Sequence, residues 1–118
     1  MCRALTVLCA APGMAALDRL KRATVSASWE LVGGASSVEE LLAQLGELGA
    51  DIVVVDAELP GAGAAVAEIR RVRPRTRVLA LGRLDGADAE APDLAGVRDA
   101  ILGAPPVGGP VSGPGRPG

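Results

Sequence analysis

Asp56 closes the apolar run Ile52-Val53-Val54-Val55 and is followed by Ala57-Glu58-Leu59-Pro60-Gly61. A strand that ends in a lone carboxylate before a Pro-Gly turn sets that carboxylate at the C-terminal edge of a parallel sheet. Open α/β folds keep their functional crevice at that edge. The chain thus marks one position where chemistry could occur, and it carries few of the partners such chemistry needs. It has no histidine for general-base work. No nucleophile–base pair can be assembled from its residues, which argues against an independent enzyme.

Other residues with chemical potential have plainer readings. Cys2 and Cys9 lack metal-ligand spacing, and without histidine a Cys/His metal site is excluded. Cys9 lies in an apolar run with no second cysteine at C-x-x-C spacing, so it reads as a packed thiol in a reducing compartment. Pro60-Gly61-Ala62-Gly63 lacks the lysine and spacing of a P-loop and the pattern of a dinucleotide fingerprint, and it reads as a plain loop. Asp85, Asp88, Glu90 and Asp93 lack the spacing of a calcium loop and read as a flexible acidic segment. Arg70, Arg71, Arg73, Arg75 and Arg77 form a local basic run. Cations near a helix C-terminus account for it, and a docking patch for an acidic partner is the competing account.

The elements that must position Asp56 follow from hydrophobic periodicity. Residues 5–10 read as a buried strand broken by Pro12-Gly13. Met14, Leu17 and Leu20 then mark an amphipathic helix. Residues 29–32 form a second strand ended by Gly33-Gly34. Ser37 and Glu40 make a capping box for a helix with the stripe Leu41, Leu42, Leu45 and Leu48, stopped by Gly49. Residues 52–55 are the third strand. Val66, Ile69 and Val72 mark a helix that Pro74 terminates, and residues 78–81 are a fourth strand. Residues 97–102 fit either a helical stripe or a fifth strand. Strands alternating with helices predict a parallel sheet covered on both faces.

The composition agrees with one small domain. At 118 residues there is room for one core, which Ala, Val, Leu and Ile must fill, because Trp29 is the only aromatic. A net charge of −2 gives no basic field for nucleic acid, and stacking platforms are absent. The apolar stretch before Pro12 is too short to span a membrane. Residues 107–118 are mostly Pro, Gly and Val and read as a disordered tail or linker. The predicted domain is residues 1–106, and the predicted location is the cytoplasm.

Several stretches resemble the receiver domain of two-component response regulators, the CheY-like fold. Glu30-Leu31-Val32-Gly33-Gly34-Ala35-Ser36-Ser37-Val38-Glu39-Glu40-Leu41-Leu42 is similar to that family's second strand and helix. Ala50-Asp51-Ile52-Val53-Val54-Val55-Asp56-Ala57-Glu58-Leu59-Pro60-Gly61 resembles its third strand and phosphoacceptor loop. Arg77-Val78-Leu79-Ala80-Leu81 resembles its fourth strand, and Gly96-Val97-Arg98-Asp99-Ala100-Ile101-Leu102 its fifth. The resemblance implies a three-layer, doubly wound, five-stranded parallel sheet of order 2-1-3-4-5. It favours the strand reading of residues 97–102 and leaves the C-terminal helix truncated.

In that family the third-strand aspartate accepts a phosphoryl group. Mg²⁺ is held by an acidic pair after the first strand, and a Thr or Ser after the fourth strand and a Lys after the fifth bind the phosphoryl oxygens. The resemblance puts Asp56 at the phosphoacceptor position, Cys9 and Ala10 at the acidic pair, Gly82 at the hydroxyl and Gly103 at the lysine. One carboxylate holds Mg²⁺ weakly, and two glycines supply no charge or donor to a transferring phosphoryl group. The expectation is a pseudo-receiver without metal or cofactor. Such degenerate receivers occur in atypical response regulators and at the N-terminus of CpaE/TadZ-type, MinD-like ATPases. A kinase, an effector or an ATPase domain is the implied protein partner, and the chain itself could form a homodimer. Two alternatives stand: a receiver still phosphorylated on Asp56, and a small-molecule sensor using the room left by Cys9, Ala10, Gly82 and Gly103.

Overall fold

A computed structural model describes residues 5–103. Five parallel strands lie in the order β2-β1-β3-β4-β5. They are β1 (Leu5–Ala10), β2 (Trp29–Ala35), β3 (Ile52–Asp56), β4 (Arg77–Leu81) and β5 (Ala89–Ala91). The helices are α1 (Gly13–Thr24), α2 (Val38–Leu48), α3 (Ala62–Val72) and α4 (Val97–Gly103). This is the expected CheY-like three-layer topology. The boundary at residue 106 and the segment 107–118 lie outside the described residues.

β3 is central because its side chains suit burial on both faces. Val53 and Val55 pack with Leu41, Leu45, Val66 and Ile69 of α2 and α3. Ile52 and Val54 pack with Leu17, Leu20, Val97 and Ile101 of α1 and α4. A fully covered parallel strand reads as a continuous apolar run, and this one does. Helix α2 starts as its sequence dictates. The Ser37 hydroxyl accepts from the Glu40 N–H at 3.1 Å, and Glu40 reaches back to the Ser36 N–H at 2.8 Å. Gly49, at φ 68°, ends it.

Four expectations need correction. The second strand does not stop at Gly33-Gly34 but runs through them to Ala35. A Cβ on Gly33 would come within 2.5 Å of Gln44 Oε1 and 3.0 Å of Leu8 Cδ1, and one on Gly34 within 3.3 Å of Leu17 and Lys21. These glycines let α1 and α2 press close to the edge strand. Next, residues 97–102 are helical rather than a fifth strand: Val97 and Ile101, one turn apart, are buried on the α1 side of the sheet. The fifth strand is Ala89–Ala91, inside the segment read as an acidic loop.

The helical periodicity also fails at helix ends. Leu48 of the predicted buried stripe, and Met14 and Val72 of the apolar patterns that mark the other two helices, are 54%, 75% and 46% exposed. Each is at or next to a helix terminus, where fewer neighbouring elements cover a side chain.

The connection from β4 to β5 contains no helix. It is the loop of residues 82–88, which is short for a parallel crossover. Leu84 and Ala87 pack onto the α2–α3 face in place of a helix. Arg70 of α3 donates to the Gly86 carbonyl through Nε at 3.1 Å and through Nη2, and its Nη2 also pairs with Asp88 at 3.0 Å. Asp88 accepts from the Val78 N–H at 2.8 Å, and its own N–H donates to the Val78 carbonyl at 2.8 Å.

Candidate functional site: the C-terminal edge of the sheet

Asp56 is the last residue of β3, in register with Leu81. The turn beyond it is held by local bonds. Asp56 Oδ1 accepts from the Glu58 N–H at 2.9 Å, and the Asp56 carbonyl accepts from the Leu59 N–H at 2.9 Å. The Ala57 N–H donates to the Leu81 carbonyl at 2.9 Å, tying the turn to β4. Leu59 is buried under it. Gly61, at φ 82°, then opens α3. The carboxylate is thus half-buried and fixed at the sheet edge, as the sequence predicts.

Asp56 lines an open cleft of 820 Å³ with Ala57, Glu58, Leu81, Gly82, Arg83, Pro92, Asp93, Leu94 and Ala95. Of the five positions singled out by sequence, the cleft gathers only Asp56 and Gly82. Cys9 and Ala10 are fully buried in β1 and point to opposite core layers. The Cys9 thiol donates to Thr24 Oγ1 at 3.5 Å, and the Thr24 hydroxyl donates to the Leu20 carbonyl at 2.7 Å. Burial pushes the Cys9 pKa up to about 11, against smaller lowering by the Thr24 bond and Lys21. Gly103 ends helix α4 and does not follow a strand. The residue that follows the fifth strand is Pro92. Neither Gly103 nor Pro92 is a lysine, and the chain's only lysine is Lys21, on α1.

Gly82 has its own physical requirement. Its φ is 98°, a conformation that residues with a Cβ rarely adopt. A Cβ there would also lie 3.3 Å from that of Ala57. The Gly82 N–H donates to the Ala91 carbonyl at 2.8 Å, so this turn joins β4 to β5. A threonine or serine is incompatible with this backbone without strain.

Sequence reasoning missed Arg83, the cation on the cleft wall. No motif announces it; it follows Gly82 in a loop whose path depends on β5. Asp93, which caps the turn before α4 by accepting from the Gly96 N–H at 3.1 Å, was likewise read only as part of an acidic loop. Mg²⁺, which the resemblance implies, does not fit these residues: neither Cys9 nor Ala10 is a carboxylate, and neither lines the cleft. Among the described residues no group of three or more His, Cys, Asp or Glu side chains is arranged to hold a metal ion.

No family model and no curated protein matches the sequence. Solved structures do match. The chain superposes on the signal receiver domain of an HD domain-containing protein from Pseudomonas fluorescens with a TM-score of 0.71 at 20% identity, over 86% of this chain and 94% of that one. The fold is that of CheY-like receivers. A receiver domain protein from Methanospirillum hungatei matches with a TM-score of 0.70 at 19% identity, over 85% and 92% of the two chains. The response regulator domain of Thermotoga maritima CheB matches at 0.68 and 20% identity, also over 85% and 92%. No helix among the described residues is long and apolar enough to cross a membrane.

Proposed function

We propose that the domain is a pseudo-receiver, a non-catalytic regulatory module of signal transduction that acts by binding a protein. One observation supports this reading: Asp56 ends β3 at the sheet edge, and the residue after β4, where the resemblance puts the phosphoryl-binding hydroxyl, is Gly82 at φ 98°. A phosphoryl group on Asp56 would find no hydroxyl after β4 and no lysine after β5, so it would have little to distinguish two conformations. A ligand shifts an equilibrium only by its differential affinity for the two states.

The module extends over residues 1–106 and works in the cytoplasm. Its partner is a kinase, an effector or an ATPase domain of the CpaE/TadZ kind. Of the similar structures, one is the receiver of an HD domain-containing protein, which supports pairing with a separate output domain.

Incubation with acetyl phosphate and Mg²⁺, followed by intact mass measurement, tests the reading. The expected result is no phosphoryl adduct. Stoichiometric labelling that Asp56→Asn removes would establish the phosphorylatable alternative. A second reading, a small-molecule sensor, draws support from the 820 Å³ cleft, which is within the usual size of ligand sites. Its walls are Leu81, Pro92, Leu94 and Arg83 rather than Cys9, Ala10 and Gly103.

A further inference from the structure

The opposite edge of the sheet carries a second feature. Leu48 and Val72 end α2 and α3, and both are about half exposed. Isolated exposed apolar residues are ordinary. These two line a single cleft of 670 Å³ together with Pro74, Arg73 and Arg75. The cleft lies at the N-terminal edge, roughly 16 Å from Asp56 by the rise of β3.

The polar groups of the floor are hydrogen-bonded within the chain. The Thr6 N–H and hydroxyl donate to the Asp51 carboxylate at 2.9 and 3.1 Å, and the Thr76 hydroxyl donates to the Ala50 carbonyl at 2.8 Å. The rim differs. Within the basic run, Arg70 is engaged by Asp88 and Arg71 by Glu68. Arg73 donates to the Gly46 carbonyl at 3.1 Å and stays exposed, and Arg75 is exposed beside it. The cleft therefore offers two half-exposed apolar side chains and two exposed arginines on one lining, with its one carboxylate, Asp51, already bonded to Thr6.

We propose that this N-terminal cleft docks an acidic, apolar-anchored peptide segment of a protein partner. Carboxylates complement Arg73 and Arg75, and branched apolar side chains cover Leu48 and Val72. A second copy is disfavoured, because a two-fold contact would bring the same arginine rims together. Nucleic acid is disfavoured by the chain's net charge of −2 and the lack of stacking residues. The proposal is independent of the chemistry at Asp56.

Fluorescence anisotropy on the whole chain, without Mg²⁺ or phosphoryl donor, tests it. The probe is a fluorescein-labelled peptide of alternating aspartate and leucine. Peptides alternating lysine with leucine, or aspartate with serine, are controls. Saturable binding of the aspartate–leucine peptide is expected, about tenfold or more tighter than either control and weakened by salt. Arg75→Glu and Leu48→Gln should each weaken it at least about fivefold with melting temperature unchanged. Amide shifts in the unmutated chain should centre on residues 48–51 and 72–76. No saturation, equal binding of a control, retention by both variants, or shifts centred on Asp56 would overturn the proposal. So would a change of oligomeric state in Leu48→Gln or competition by duplex DNA, each of which assigns another occupant.

Discussion

Gly82 decides more about the site than its lack of a side chain suggests. Restoring a hydroxyl by Gly82→Thr would force a β-branched residue into φ 98°. The variant should lose about 1–3 kcal/mol of stability in urea titration and gain no phosphorylation. Equal stability would mean the turn relaxes freely. Cys9 gives a pH signature at the same scale. Its thiol has a folded pKa of about 11 against an ordinary 9.0. Below pH 9 both states hold the proton and the contribution is complete. Between pH 9 and 11 the unfolded thiol ionises while the folded one does not, so stability falls by an amount on the order of 2–3 kcal/mol. Urea midpoints at pH 8 and pH 11 should show this loss relative to Cys9→Ala. A parallel response of the two proteins would contradict burial of the thiol.

Element by element, what the sequence discloses depends on how local the cause is. Helix α2 is legible because its cap, stripe and stop all lie within Ser37 to Gly49. β3 is legible because burial on both faces leaves a continuous apolar run. β5 is not, because Ala89-Glu90-Ala91 has no branched residue and becomes a strand through pairing with β4. With β5 hidden, residues 97–102 fit a fifth strand as well as a helix, and it is the strand reading that puts Gly103 after β5; the structure puts Pro92 there. The place of Asp56 at the end of β3 is readable from its own neighbours, whereas Arg83 acquires its place only from the helix-free loop of residues 82–88. That loop yields a ranking. Asp88→Ala strips the buried Val78 N–H of its acceptor and should cost about 1–3 kcal/mol. Arg70→Ala removes bonds that are 40% exposed on the arginine side and should cost about 1 kcal/mol or less. The reverse order in thermal or urea unfolding would show that the arginine, not the strand cap, holds the loop.

For the molecule as a whole, one sheet with two covered faces should unfold as a single cooperative unit. Val54 is fully buried in its middle strand. Val54→Asp would bury an unpaired charge in a domain whose total stability is about 5–15 kcal/mol, and it should not fold. A cooperatively melting, soluble variant would contradict the core described here. The same sheet presents the Asp56 cleft at one edge and the Leu48–Val72 cleft at the other, and phosphoryl-driven switching is proposed for neither. The direct test is amide hydrogen exchange of the whole chain with and without beryllofluoride and Mg²⁺. Unchanged exchange in residues 56–61 and 82–88 is predicted, since no hydroxyl or lysine is there to draw the loop inward. Protection of those residues that Asp56→Asn abolishes would contradict the central claim and make this domain a working receiver.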